Sequence, residues 1–299
     1  MDGCKEIMDS VYFPMNVSEI IPALDKAYRQ EGSMIYEIQQ MEIVVPLFEG
    51  WQDTMIWSCL QKVMGHVYAN SVETPASAMA LLGDFCFLAG KPSEELALYH
   101  PEDCRQDFII MVPGGEGWEE TIRECYGEKA RKVTRYAMKK EPGIFREEEL
   151  REVVRKFQEE NSPKENLQNY YRMKEIDKEL FLCCREMEWC RDWVALYPDY
   201  ETYQKYGLGI VIMKGEEIVA GASSYSGYHG GIEIEIDTKE GYRRQGLAYV
   251  CGAQLILECL DRGWYPSWDA QNQWSAALAE KLGYHLDCEY TAYEIWGCN

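Results

Sequence analysis

Histidine is scarce in this chain, four in 299 residues, and no two cysteines stand in the Cys-x-x-Cys spacing of a zinc framework. The densest cysteine group, Cys183-Cys184 with Cys190, has no histidine beside it. No metal site is therefore expected. The twelve cysteines read as small buried hydrophobes in a reducing compartment. Long apolar runs are also missing; none approaches the roughly 20 residues of a membrane span. The opening MDGCKEIMDSVYF lacks the basic start and apolar run of a secretory leader, so a soluble, cytoplasmic protein is expected. Basic charge is in deficit, 30 Lys and Arg against 51 Asp and Glu. That excludes nucleic acid and anionic membrane as general partners, since both need a basic footprint. A nucleophile elbow and a Rossmann glycine pattern are absent as well.

What is present is an ordinary globular composition, 46% hydrophobic and 27% charged, on a chain long enough for two cores. Residues 1–160 read as a smaller mixed α/β domain. They include a helix at Val17–Tyr28 behind the cap residue Ser18 and another at Asp53–Val63. A strand with a bulge at Gly83-Asp84 follows, then further strands at Asp107–Val112 and Arg131–Lys139. Gly114–Gly117 ahead of a helix mimics a phosphate cradle, but Glu116, Glu119 and Glu120 sit where an anion would bind, so a plain turn is expected. Glu147–Glu160 reads as an amphipathic helix and Asn161–Asn166 as a linker. Residues 168–299 read as the second domain: a strand at Tyr170–Ile176, helices around Lys178–Tyr197 and Tyr200–Tyr206, and a hairpin turning at Lys214-Gly215-Glu216.

The stretch that organises the chain is Gly231–Leu260. Ile232, Ile234, Ile236 and Thr238 alternate with Glu233, Glu235 and Asp237, a period of two that marks a strand with all three carboxylates on one face. A helix follows from Leu247. Between them stands Arg243-Arg244-Gln245-Gly246-Leu247-Ala248. Unpaired N–H groups and the positive end of a helix dipole suit a phosphate there, at roughly 0.3–1 kcal/mol per exposed interaction. A surface turn explains the same residues. Further on, Asn272 opens a small-residue helix that closes on Leu282-Gly283-Tyr284.

Arg243-x-x-Gly246-x-Ala248, followed by Asn272 through Tyr284, resembles the two signatures of the GNAT superfamily of acyl-CoA-dependent N-acetyltransferases. The resemblance covers about residues 168–299 and implies a GNAT fold of α/β class with a mixed sheet. The N-terminal half would be an extra, degenerate GNAT-like or otherwise mixed sheet domain. The stretch Tyr265-Pro266-Ser267-Trp268-Asp269-Ala270-x-Asn272 looks like bacterial GNAT proteins related to zwittermicin-type self-resistance acetyltransferases. The implied partners are acetyl-CoA as cosubstrate and a small-molecule amine, such as an antibiotic or amine metabolite; an oligomer is compatible with the sequence.

The resemblance assigns the pyrophosphate to Arg243, Arg244, Gln245, Gly246, Leu247 and Ala248, the acyl oxygen to the strand backbone at Ile236, Asp237 and Thr238, and the CoA arm to Asn272 and Ser275. Asn272 also reads as an ordinary helix cap. An alkyl amine of pKa about 10.4 must lose a proton before it attacks. Glu235 and Glu233 are the candidate bases, a solvated acidic strand face being the alternative. Where GNAT enzymes often place a tyrosine to protonate the leaving thiolate, this chain has Ala279; Tyr284 is the candidate acid nearby, with packing as its other reading. Ser224 and Tyr225 are candidate lining of the acceptor pocket. Direct acetyl transfer to an amine is the expected function, with a non-catalytic acyl-CoA sensor as the alternative.

Overall fold

Period-two stretches become strands here, and they assemble into two sheets. The structure, a computed structural model, describes residues 35–101, 107–162 and 170–297; the helix expected at Val17–Tyr28 lies outside them. The N-terminal part supplies β1 (Tyr36–Glu37), β2 (His66–Ala69), β3 (Ser77–Leu82), β4 (Phe85–Gly90), β5 (Phe108–Pro113) and β6 (Ala130–Met138). Helices α1 (Thr54–Leu60), α2 (Glu94–Ala97) and α3 (Glu116–Tyr126) lie between them, and α4 (Glu147–Glu160) follows. Next come β7 (Tyr171–Glu175), α5 (Lys178–Glu186), a 3-10 segment Glu188–Trp193, α6 (Tyr200–Tyr206), β8 (Gly209–Lys214), β9 (Glu217–Tyr228), β10 (Gly231–Thr238), α7 (Leu247–Asp261) and β11 (Tyr265–Ser267). The chain closes with β12 (Asp269–Ala270), α8 (Gln273–Leu282) and β13 (Leu286–Trp296).

The five-stranded sheet runs β11-β10-β9-β8-β7, and the eight-stranded sheet runs β1-β2-β3-β4-β5-β13-β6-β12. The second order matters most. β13, from the C-terminal residues, lies between β5 and β6, antiparallel to both. β12 pairs with the other edge of β6. The chain therefore changes sheet across Trp268, between β11 and β12, and the two sheets do not follow the division expected at residues 161–166. Arg135, on β6, faces Tyr290, on β13, in this register.

The expected bulge at Gly83-Asp84 is instead a hairpin turn, with Leu82 opposite Phe85. Gly83 takes φ +57° and Asp84 stays at negative φ, the pattern of a two-residue turn with glycine first, whose twist matches the strands. Continuous apolar residues on both sides hid the reversal, because β3 and β4 are buried on both faces. The turn also docks on the other sheet: the Asp84 N–H donates to the Tyr225 hydroxyl at 2.9 Å.

The helices cover the sheets as their patterns dictate. In α4, Leu150, Val154 and Phe157 repeat every three to four residues and are the buried face, each worth about 1.5–3 kcal/mol on burial. They pack on α7, which is apolar nearly all round and is sandwiched between α4 and the sheet with Ile232, Ile234 and Ile212. On the opposite face, α5, the 3-10 segment and α6 bring Phe181, Trp193, Tyr197 and Tyr203 against Val211. Asp177 and Asp199 cap α5 and α6 through Leu180 N and Thr202 N at 2.9 and 2.7 Å. No helix among the described residues is long and apolar enough to cross a membrane.

Candidate active site

The site begins where two parallel strands part. β10 and β11 pair only from Gly231↔Tyr265 to Glu233↔Ser267. Beyond that point β11 turns toward the other sheet, and no described strand pairs with residues 234–238 on that side. Ile236, Asp237 and Thr238 are half-buried along this open edge, with backbone polar groups that want partners.

At the end of β10 the chain turns through Lys239–Gly246 into α7. Lys239 is paired with Glu217 at 2.5 Å, which leaves Arg243 and Arg244 as the basic residues of the turn. Arg243 Nε donates to Thr238 O at 3.1 Å, tying the turn to the strand end. Arg244 has φ +63°, an uncommon backbone state for a side chain of this size. Gly246, at φ +81°, is the N-cap of α7 and supplies no side-chain cap, and the first turn has no acidic residue. The N–H groups of Leu247 and Ala248 thus open α7 without a side-chain acceptor, as an anion site requires. A Cβ on Gly246 meets open space, so glycine serves the positive φ. Tyr171 Oη donates to Gln245 Oε1 at 2.9 Å and braces the turn.

The three carboxylates of β10 share one face but not one environment. Glu233 is buried; its oxygens accept from the Thr54 hydroxyl of α1 and, at 2.7 Å, from Asp269 N. Burial raises its pKa, while Lys140 and Thr54 oppose the rise. Glu235 is half-buried on the same face as Glu233 and Asp237. Burial, then Asp237 and Asp192, push its carboxyl up to about 8, with Arg135 pulling the other way. Asp237 rises to about 6 through burial and Asp192, against Arg243. Asp84, at the tip of the β3–β4 turn, rises to about 6 through burial and the same Asp192. The alternative reading, a solvated acidic face, does not hold, since Glu233 is buried and Glu235 and Asp237 are half-buried. Of the two candidate bases, Glu235 is the half-buried one, whereas Glu233 is committed to Thr54 and Asp269.

Tyr284 does not enter the cleft. It is 1% exposed, its hydroxyl donates to Pro266 O at 2.7 Å, and its ring packs edge-on against Phe145. Burial raises its pKa well above the ordinary value. The role of candidate acid is corrected to packing, because the residue after a glycine C-cap at φ +109° turns back into the core. Tyr284→Phe is expected to leave kcat unchanged and to cost about 1–3 kcal/mol, because the buried Pro266 carbonyl loses its donor; thermal unfolding beside a rate measurement checks this. Ala279 is fully buried. Ser224 is also withdrawn from the pocket: its Oγ accepts from Tyr197 Oη at 2.8 Å and from Leu208 N at 3.0 Å. Tyr225 is buried with its hydroxyl at Asp84 N.

Asn272 caps α8, its Oδ1 accepting from Trp274 N and Ser275 N, both at 3.0 Å. Ser275 Oγ accepts from Trp268 Nε1 at 3.1 Å. Among the described residues no group of three or more His, Cys, Asp or Glu is arranged to hold a metal ion.

A splayed strand pair, an uncapped helix start after it and the carboxylates of the same strand form one constellation. A sequence model of the family described as GNAT acetyltransferase matches residues 45–293. The chain belongs to the GNAT acetyltransferase family. It is an acyltransferase, and acetyl transfer is its chemistry. A GCN5-related N-acetyltransferase-like protein from Streptococcus suis shares 45% identity, with 86% of this chain and 98% of that one covered and a TM-score of 0.76. An uncharacterized N-acetyltransferase, YdfB, of Bacillus subtilis is 25% identical over 256 residues, 80% of this chain and 89% of that protein. The glucosamine N-acetyltransferase region of a fungal multi-domain β-N-acetylglucosaminidase is similar in fold alone, at 12% identity and a TM-score of 0.51, covering 92% of this chain and 40% of that one.

The GNAT family match spans both halves of the chain, not only residues 168–299. The residues that sequence reasoning missed come from both parts of the chain. Asp84, Phe85 and Arg135 belong to the first sheet and its β3–β4 turn, where Arg135 stands over the Phe85 ring, and Asp192 belongs to the 3-10 segment, where it raises the pKa of Asp84 and Glu235. A charged residue inside an otherwise alternating strand was the available signal for Arg135; nothing local distinguished Asp84 or Asp192.

Proposed function

We propose that this GNAT enzyme moves an acetyl group from acetyl-CoA to a primary amine of a small molecule by direct attack, in the cytoplasm. The observation that carries the reading is the open edge of β10, which lies between the uncapped start of α7 and the carboxylate of Glu235. The CoA pyrophosphate would rest on the N–H groups of Leu247 and Ala248, with Arg243, Arg244 and Gln245 around it. Backbone of Ile236–Thr238 would polarise the thioester carbonyl, and the Asn272 side-chain amide would contact the CoA arm while its oxygen caps α8.

Glu235 would take the proton from the ammonium of the acceptor, directly or through one water. The freed nitrogen lone pair then attacks the thioester carbon. The attacking nitrogen then gives up its second proton as the tetrahedral intermediate collapses with cleavage of the C–S bond, and that proton passes, directly or through water, to the leaving CoA thiolate. The acidic lining of Asp84, Asp192, Glu235 and Asp237 supports a cationic acceptor. Amino sugars, aminoglycosides and diamines are the classes to try.

Thiol release from acetyl-CoA is the test, measured with each of these amines. Amine-dependent release is expected. CoA binding without release on any amine would defeat the amine assignment. Gly246→Asp is expected to weaken acetyl-CoA at least tenfold, because it places a negative charge at the anion site and forces a side chain into positive φ. Unchanged acetyl-CoA affinity in this variant would remove the pyrophosphate assignment.

A further inference from the structure

Both neighbours of β10 change at Glu233. On one side its pairing with β11 ends at Glu233↔Ser267. On the other, the register with β9 shifts between Glu233 and Ile234, an irregularity that bends a strand. The open edge at residues 234–238 starts from this residue.

Hydrogen-bond periodicity shows what would have closed that edge. Tyr265 N donates to Gly230 O at 2.8 Å, and in a parallel ladder every second residue repeats such a bond. Had the pairing continued past Ser267, Asp269 N would donate to Ile234 O. Instead it donates to the Glu233 side chain, at Oε1, over 2.7 Å. A carboxylate thus stands where a backbone carbonyl would have stood, and the departing chain is held a side chain's length from β10. The other oxygen, Oε2, accepts from the Thr54 hydroxyl at the start of α1. Glu233 and Thr54 are both buried.

Asp269 is held from the far side as well. Its carboxylate accepts from Arg135 Nε and from Tyr290 Oη, each at 2.7 Å, and its backbone pairs with Ala137 of β6. The residue at the parting point is therefore fixed between the two sheets. Stability alone does not call for this arrangement. An apolar residue at 233 and one more ladder bond would satisfy Asp269 N without burying a carboxylate, which is costly. What the carboxylate supplies is a gap.

We propose that Glu233 is a positioning residue for acetyl-CoA: its carboxylate, oriented by Thr54, sets the width of the fork between β10 and the chain at Asp269. Helix α1, from the N-terminal part, then shapes the acyl end of the cofactor site without touching the cofactor. This inference rests on the reading that acetyl-CoA lies along the backbone of Ile236–Thr238.

The test uses the full chain and two probes. Acetyl-CoA would reach from the start of α7 into the fork, whereas adenosine 3′,5′-bisphosphate offers phosphate to the helix start but has no acyl-bearing arm. Glu233→Ala is expected to weaken acetyl-CoA about tenfold or more in calorimetry, and the bisphosphate by less than about threefold in ligand-observed NMR. Glu233→Gln is expected to keep most of the acetyl-CoA affinity. Its amide oxygen can accept from Asp269 N, and its amide N–H can donate to Thr54 Oγ1. A role in packing alone would lower Tm and weaken both probes alike.

Unchanged acetyl-CoA affinity in folded Glu233→Ala, or equal weakening of both probes, overturns the proposal. So does a Glu233→Gln variant that binds acetyl-CoA as poorly as Glu233→Ala. Should Glu233→Ala fail to fold, Thr54→Val decides instead: it is expected to weaken acetyl-CoA about threefold or more relative to the bisphosphate, and an unchanged ratio overturns the proposal. If the wild type binds acetyl-CoA but not the bisphosphate, the contrast between Glu233→Ala and Glu233→Gln decides. A wild type that binds neither probe sinks the proposed function and this inference with it. A wild type that binds both, with variants that do so equally well, removes Glu233 alone.

Discussion

Replacing Glu235 by Gln is expected to lower amine-dependent kcat by about 10²–10⁴, the range removed with a general base, while acetyl-CoA affinity stays within about twofold of the wild type. The substitution keeps the shape of the side chain and deletes its charge, and the proposed pyrophosphate contacts lie at the start of α7. In the wild type, kcat/KM should rise with pH through about 8, where Glu235 loses its proton, because a base acts only when ionised. Equal activity of Glu235→Gln and wild type in the thiol-release assay would end the assignment.

The same variant should be more stable than the wild type above neutral pH. In the unfolded chain this carboxyl ionises near its ordinary value of 4.5; in the folded protein it ionises at about 8. Between those values the folded state holds more protons than the unfolded state, so stability falls as pH rises through the window. Gln removes that penalty. A Tm several degrees higher at pH 8 and nearly unchanged at pH 4 is the expected result in a calorimetric pH series. This is the usual exchange of stability for activity at a catalytic group.

The second large effect concerns the sheets. A fragment of residues 168–299 is expected not to fold as a soluble monomer, even though it holds the signature residues from Arg243 to Tyr284. β13 is antiparallel to β5 along Tyr293–Trp296 and to β6 along Leu286–Ile295, and the fragment contains neither strand. Ala292, Tyr293 and Ile295, now buried, would be exposed on a strand with two open edges, a template for aggregation. Thr54 would also be missing from Glu233, and Arg135 from Asp269. A fragment with native-like circular dichroism, cooperative unfolding and acetyl-CoA binding would contradict the sheet order. Adding residues 35–162 in trans is expected to restore binding if both pieces stay soluble.

Much of the site was legible in the chain because its chemistry is local. Alternation from Ile232 to Thr238 specifies a strand with its carboxylates on one side, and Gly246 before an apolar helix marks an uncapped start. Asn272 and Gly283 bracket α8 as cap residues do. The strand reversal at Gly83 was hidden because β3 and β4 are buried on both faces and carry no alternation to break. Tyr284 was misplaced for a related reason: spacing along the chain fixes that it follows a helix, but the left-handed turn at Gly283 decides which way its ring goes.

The sequence by itself therefore carried the resemblance to the GNAT family, the strand–turn–helix with its uncapped start at Gly246 and the pair of candidate carboxylates, Glu235 and Glu233, all of them patterns local in the chain. Only the tertiary structure decided that Glu233 is locked away against Thr54, that β13 belongs to the first sheet, and that Arg135 pairs with Asp269. Those outcomes depend on pairings between residues far apart in the chain, such as Thr54 with Glu233 and Arg135 with Asp269. No local pattern encodes such pairings; they follow from how two sheets close around one cleft.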